Sequence, residues 1–427
     1  MIRTVSICSM ALALLPAVAL GQQSGRTLTL EEALRTAEQN QPQLRRARAS
    51  VDVSAARVDE ARSQYLPQVN GRAGVSVGAG ASVSGGVGAP LSTTRGYNVG
   101  VSANQLIWDF GQTTSRIDAA RATLAASNES QRATLQDVQL AVRTAYFDAL
   151  AARALVDVAK EALANQDRHL EQIQAFVEVG TRPEIDLAQV RTDRANARVQ
   201  LINAENAYET AKAALNQAMG VEGPTDYELA DVPPAPVEGE GQELEDLLAE
   251  AIRNRPELAA LEYQARAEEL NLEVASAGYW PSIGASVSAD DSGRDLENRG
   301  FSASGGLSLT WNLFNGFETR ARVQESRAQL QSIEAERDLL RQQVRLELER
   351  ARLAVRAALA SLEASQEAES NARTRLKLAE GRYRAGVGNI IELGDAQVAL
   401  TQAEAQRVQA TYDVSVARAQ LLRALGR

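Results

Sequence analysis

The chain has 427 residues, with 45 Lys and Arg against 55 Asp and Glu, one His, one Cys and 4% aromatic residues. One cysteine excludes an internal disulfide, one histidine excludes a histidine cluster, and the acidic balance disfavours nucleic acid as a partner.

The first segment reads as a secretory signal. Arg3 supplies a short positive start, Val5 to Leu20 form an apolar run, and Ala19-Leu20-Gly21 supply small residues for cleavage after Gly21. Cys8 lies inside this segment, so the mature chain is expected to carry no thiol. Beyond it no apolar run is long enough for a membrane helix, which leaves a soluble exported protein or a β-barrel.

Two copies of one unit fill the rest. Thr29-Leu-Glu-Glu-Ala-Leu followed by Asn40-Gln-Pro-Gln-Leu44 matches Glu243-Leu-Glu-Asp-Leu-Leu followed by Asn254-Arg-Pro-Glu-Leu258. Tyr65-Leu-Pro67 matches Tyr279-Trp-Pro281, and Ile107-Trp-Asp109 matches Leu313-Phe-Asn315. The expected organisation is a signal at 1–21, a first repeat at 22–219, a Pro- and acid-rich linker at 220–242, and a second repeat at 243–427.

Each repeat opens with a helix, 31–64 and 245–278, interrupted near Pro42 or Pro256. The period then changes from 3.6 to 2. Val69, Gly71, Ala73, Val75 and Val77 alternate with Asn70, Arg72, Gly74 and Ser76; Val99, Val101 and Ala103 with Asn98, Gly100 and Ser102. Ile283, Ala285, Val287 and Ala289 alternate with Gly284, Ser286 and Ser288; Phe301, Ala303, Leu307 and Leu309 with Ser302, Ser304 and Ser308. Apolar residues opposite small polar ones are the membrane-barrel form of the strand signal, and on the strands alone a soluble sandwich with one wet face is the alternative. It places β-hairpins at 67–109 and 281–314, with Trp280 and Trp311 at strand ends where an aromatic girdle belongs. The hairpin tips are expected at Gly85–Pro90 with the following Leu-Ser-Thr-Thr, and at Asp290–Asp295. Pro90 and Gly293 are then extracellular and Pro234 periplasmic. Four strands are too few to close a barrel in one chain; three chains supply twelve.

A long helix follows each hairpin, over 112–179 and 318–385, without proline and roughly 100 Å in length. Leu135, Val138, Val142, Ala145, Ala149, Ala152 and Val156 keep the 3-4 spacing of a coiled-coil seam, as do Val344, Leu348, Ala351, Val355 and Ala358. Return helices over 183–219 and 389–426 complete helical hairpins at 112–219 and 318–426. Each is shorter than its partner, and the first helix of the next unit is expected to supply the missing length.

A signal, two repeats, and a strand hairpin followed by a long helical hairpin in each are similar to the TolC family of outer-membrane efflux proteins. The likeness covers essentially all of the mature chain. It is carried by the two Asn-x-Pro-x-Leu copies, the strand ends at Ile107–Asp109 and Leu313–Asn315, and the turns around Gly180 and Gly386. The resemblance implies a mixed α+β membrane protein: a trimeric 12-stranded outer-membrane β-barrel, four strands per protomer, continued by a long α-helical coiled-coil barrel across the periplasm. It implies an outer-membrane exit duct of a tripartite efflux pump or type I secretion system. The partners implied are two further copies of the chain, a periplasmic adaptor (membrane fusion) protein, an inner-membrane RND or ABC pump, and outer-membrane lipid. A structural coiled-coil spacer or adhesin stalk is the alternative, but a stalk has no use for alternating membrane strands.

By the same resemblance the two turns form the periplasmic entrance. Asp186 and Tyr383 fall where the family places a hydrogen bond that holds the tip shut, and Glu392 and Asp395 where it places acids lining the pore mouth. The family's Arg two residues after the second-repeat glycine is Gly388 here, while Arg182 holds the equivalent position in the first repeat. The residues themselves show no Gly-rich phosphate loop, catalytic serine motif or metal-ligand spacing, so neither an enzyme nor a cofactor is expected. The lone His169 is expected to have no role.

Overall fold

The computed structural model describes residues 26–80, 83–84, 87–88, 92–232, 236–295 and 297–427. The expected signal with Cys8, the tip residues Gly85, Gly86, Ala89 and Pro90, and Pro234 lie outside the described residues. In chain order, β1 (Arg26–Leu28), α1 (Leu30–Asn40) and α2 (Pro42–Ser63) lead to β2 (Gln68–Gly80). The short β3 (Val83–Ser84) and β4 (Val87–Gly88) precede β5 (Ser92–Trp108), α3 (Gln112–Glu178) and α4 (Glu184–Met219). After β6 (Tyr227–Leu229) the pattern repeats as α5 (Leu244–Asn254), α6 (Pro256–Ala277), β7 (Ser282–Gly293), β8 (Arg299–Thr310), α7 (Glu318–Arg384) and α8 (Ile390–Leu425).

Proline sets the breaks near the start of each repeat. Pro42 and Pro256 occupy the first turn of α2 and α6, and Gln41 and Arg255 before them have ψ of 119° and 116°. A residue before proline is driven out of the helical region, so α1/α2 and α5/α6 are separate helices.

β2, β5, β7 and β8 form one antiparallel sheet in that order, with β2 and β8 at its edges. The ladders extend beyond the strands read from the sequence. β5 begins at Ser92, opposite Gly80, and Asp290–Gly293 belong to β7, paired with Gly100–Tyr97 on one side and Ser302–Arg299 on the other. The second tip therefore shrinks to the residues after Gly293. Aspartates that read as a turn are held here by two neighbouring ladders. The apolar face is uncovered: Val75 is 83%, Phe301 76% and Leu307 79% exposed. In water such a patch would be costly, whereas hydrocarbon would cover it.

An aromatic collar marks the passage from sheet to helices. Phe110 (φ 54°) stacks on Trp280 at 5.6 Å and meets Trp108 edge-on at 6.1 Å, while Phe317 (φ 69°) meets Phe314 at 5.5 Å. Asp109 starts α3 by accepting hydrogen bonds from the amide and hydroxyl of Thr113 at 2.8 and 2.5 Å.

α3 and α7 each run 67 uninterrupted residues, about 100 Å, beside two-piece columns. The missing length of each return helix comes from its own unit, not from the next one. After α4, Gly220 (φ +69°) sits where a Cβ would come 2.7 Å from the Gln41 Cα. Gln41 Nε2 donates to the Gln217 and Ala218 carbonyls at 3.2 and 2.8 Å, seating α4 end-on against α2. After α8, Gly426 (φ +81°) repeats the joint against Asn254, and Arg255 Nε donates to the Ala424 carbonyl at 2.9 Å. Only a residue that tolerates positive φ and lacks a side chain fits such a junction.

A buried cluster surrounds each joint. In the first repeat Ala33, Ala37, Val142, Tyr146, Leu150 and Leu215 pack together; in the second, Leu247, Ala251, Val344, Leu348, Leu421 and Leu425. The region expected as a linker is partly structured. β6 pairs in parallel with β1, from Arg26–Tyr227 to Leu28–Leu229. Tyr146 Oη lies 2.9 Å from the Leu28 carbonyl and 2.7 Å from that of Ala230, and Arg153 bonds the Leu229 carbonyl and Asp231. Burial pushes the Tyr146 phenol up to about 12.

The helical seams lie where the 3-4 spacing puts them. Val138, Val142, Ala149, Val156, Val344, Leu348, Ala351 and Val355 are buried, and Leu135, Ala145, Ala152 and Ala358 are half-buried. Among the described residues no helix is long and apolar enough to cross a membrane.

Candidate functional site at the helix tips

Both long helices end in the same way. Gly180 (φ +77°) donates its amide to the Val177 carbonyl at 3.0 Å and Thr181 to that of Phe176 at 2.9 Å. Gly386 (φ +78°) and Val387 repeat this with the Tyr383 and Arg382 carbonyls, both at 3.1 Å. This is the left-handed glycine cap that satisfies a helix's last carbonyls. Pro183 precedes α4, and Asn389 caps α8 by accepting from the Ile391 amide at 3.1 Å.

The tips are packed together. Ile173 of α3, Val190 of α4, Ala379 and Tyr383 of α7, and Leu393 and Ala396 of α8 form one buried cluster. Tyr383 is 6% exposed, and its Oη is buried with no hydrogen-bond partner among the described residues. The Arg182 guanidinium lies over the Tyr383 ring, 4.5 Å from the centroid, with Nη2 3.5 Å from the Tyr383 carbonyl. Burial raises the Tyr383 phenol above its ordinary value; Arg182 opposes that shift and Asp186 reinforces it. Asp186, half-buried in the first turn of α4, is thus within electrostatic reach of Tyr383 without bonding its hydroxyl.

Gly388 has a steric explanation. A Cβ there would come 2.8 Å from the Tyr383 nitrogen and 3.0 Å from the Arg382 carbonyl carbon. A larger residue would force the turn away from the end of α7. Arg182 instead brings a guanidinium to Tyr383 from the opposite repeat.

Glu392 pairs with Arg382 at 3.2 Å, both side chains being substantially exposed. The sequence reading missed this counter-ion; Arg382 beside Tyr383 at the end of α7 was the available signal. Asp395 is exposed and lines a cleft of about 520 Å³ between α4 and α8, together with Asp193 and Gln397. Gln166 Nε2 crosses from α3 to the Gln397 Oε1 at 3.0 Å. His169 is half-buried, and burial holds its imidazolium below the ordinary value. Among the described residues no group of three or more His, Cys, Asp or Glu is placed to hold a metal ion.

The model of the family described as outer membrane efflux protein matches residues 33–221 and 247–427, that is, both repeats. The chain belongs to this family. Outer membrane efflux proteins act in transport rather than catalysis, and the outer membrane is where this one resides. The outer membrane efflux protein BepC of Brucella suis biovar 1 is 27% identical over 424 residues, covering 98% of this chain and 89% of the relative. Protein CyaE of Bordetella pertussis is 31% identical over 379 residues, covering 87% and 78%. The CmeC outer membrane channel of Campylobacter jejuni superposes with a TM-score of 0.79 at 17% identity, covering 99% of this chain and 94% of that one, a likeness of fold.

Proposed function

We propose that three copies of this chain close into one exit duct, a twelve-stranded barrel in the outer membrane continued by a helical tunnel across the periplasm. One observation carries the reading: among the described residues, a four-stranded sheet has its apolar face uncovered and ends at strands β2 and β8. Unpaired edges in hydrocarbon are prohibitively costly, and joining β8 to the β2 of a second copy removes them. The helical layer has a matching edge. α7, which follows β8, exposes Leu339, Leu346 and Leu353 at heptad spacing, a seam lacking its partner helix. In this arrangement the tips form the entrance and receive solutes from a periplasmic adaptor and an inner-membrane pump of the RND or ABC class. Cross-linking in outer-membrane fractions should trap trimers, and the purified protein should form ion-conducting channels in planar bilayers. A monomer that does not conduct would overturn the proposal.

At the entrance we assign Arg182, Tyr383 and Asp186 to the closed state, and Glu392 and Asp395 to an acidic mouth. Three copies give six carboxylates, with Arg382 moderating the charge of each Glu392. Clustered carboxylates attract polyvalent cations. Glu392→Gln with Asp395→Asn should weaken block by a trivalent cation added on the periplasmic side, and Arg382→Gln should strengthen it. Undiminished block in the double variant would remove the ring.

A further inference from the structure

The polar face of the sheet is nearly free of charge. Its residues on β2, β5, β7 and β8 are Gly, Ser, Thr, Asn and Gln, with Leu106 at one end; Arg72 and Asp290 are the charged exceptions among the described residues. The two share one cross-strand row. Arg72 of β2 pairs with Gly100 of β5, Gly100 with Asp290 of β7, and Asp290 with Ser302 of β8. Two strand spacings separate Arg72 from Asp290, about 10 Å. Gly100 is buried between them, and a Cβ on it would collide with the Asp290 carboxylate. The carboxylate therefore leans across Gly100 in the direction of Arg72. The flanking rows are small or amide-bearing: Gly74, Asn98, Ser292 and Gly300 on one side, Asn70, Ser102, Ser288 and Ser304 on the other.

We infer that Arg72 and Asp290 form a charged crown inside the barrel, a selectivity element separate from the entrance at the helix tips. The inference rests on the trimeric closure proposed above. In the sheet order β2-β5-β7-β8, Arg72 lies on the first and Asp290 on the third strand of every four. Three copies joined β8 to β2 place opposite charges alternately, at equal intervals, around twelve strands. The strand tilt of roughly 40° offsets the two charge levels by only about 6 Å along the axis. The long Arg72 and the Asp290 carboxylates rise from a floor of Gly and Ser, so they are the first charged groups a solute meets on that wall. The crown has no net charge; near the wall its field runs from each Arg72 to the neighbouring Asp290, and the offset between the two levels gives it a component along the channel axis. Such a field aligns solutes that carry both charges, zwitterions and strongly dipolar molecules, and gives no net preference between simple cations and anions. Gly100 acts as a positioning residue, leaving room for the carboxylate.

A thiol placed beside the crown reads its field from the extracellular side, without passage through the helix tips. Ser102→Cys lies in the adjoining row on the same face, and Val101→Cys on the opposite, apolar face serves as its control. In the full-length protein embedded in membrane, cationic and anionic methanethiosulfonates of similar size should both reach Cys at 102 and neither should reach Cys at 101. Arg72→Gln should raise the cationic-to-anionic rate ratio at 102, and Asp290→Asn should lower it. Each change should be about threefold or more near 0.01 M ionic strength, where screening is weak. The double variant should return close to the parent ratio. Ratios that ignore both substitutions, or move in the same direction for both, overturn the crown while leaving the barrel intact. A thiol at 102 that neither reagent reaches, or equal labelling at 101, overturns the barrel itself.

Discussion

Arginine at position 149 should abolish most assembly in the outer membrane. Ala149 is 0% exposed within the cluster that joins α3 to α4 and α1. A guanidinium there must either displace packed side chains or carry its charge into a dry seam without a partner. Overpacking and an unpaired buried charge together cost roughly 3–5 kcal/mol, a large fraction of ordinary stability. The measurement is the yield of cross-linked trimer, compared with Lys160→Ala, which changes an exposed residue of the same helix. Equal yields would show that the seam does not hold the assembly.

A second large effect is expected at the tips, where the contacts separate two kinds of lock. If a hydrogen bond from Tyr383 Oη held the entrance shut, Tyr383→Phe would open it. The hydroxyl is buried without a partner among the described residues, so removing it should change little. The ring is what Arg182 touches, at 4.5 Å. Arg182→Gln, or Tyr383→Leu, should therefore raise single-channel conductance, while Tyr383→Phe keeps the parent value. A desolvated cation–π contact contributes about 1–2 kcal/mol. Three copies released together shift the closed–open ratio by roughly 10² to 10⁴. Opening by Tyr383→Phe alone would return the lock to a hydrogen bond, with Asp186 of an adjacent copy as the candidate acceptor.

The sequence yields what is written in a local period. Alternation from Val69 to Val77 and from Ile283 to Ala289 marks strands because pleated side chains change face at every residue. The two proline-free stretches mark helices because the apolar residues return every three or four positions. Pairings set by distant parts of the chain left no such trace. The three-residue β1 and β6 stabilise one another across about half the chain, and neither is long enough to show a period. Asp290 and Asp291 have turn chemistry but strand surroundings. The residue types for the helix joints were visible as Gly220 and Gly426, but which helix end each one meets depends on three-dimensional stacking. At the tips the glycine caps are local and legible. The Arg182–Tyr383 contact and the Arg382–Glu392 pair are tertiary, and appear only once α3, α4, α7 and α8 are packed.

The joints at Gly220 and Gly426 also divide mechanical labour between neighbouring parts of the helical layer. A torque applied at the tips travels along α3 and α7 as along unbroken shafts, because each backbone hydrogen bond hands the strain to the next for about 100 Å. In the columns beside them the ladder stops at an end-on seat formed by a few side-chain bonds and a bare glycine. In the duct proposed above, each seat would act as a slip coupling: α4 and α8 would turn while α2 and α6, next to the sheet, stay still, and the entrance would work without wringing the barrel above it.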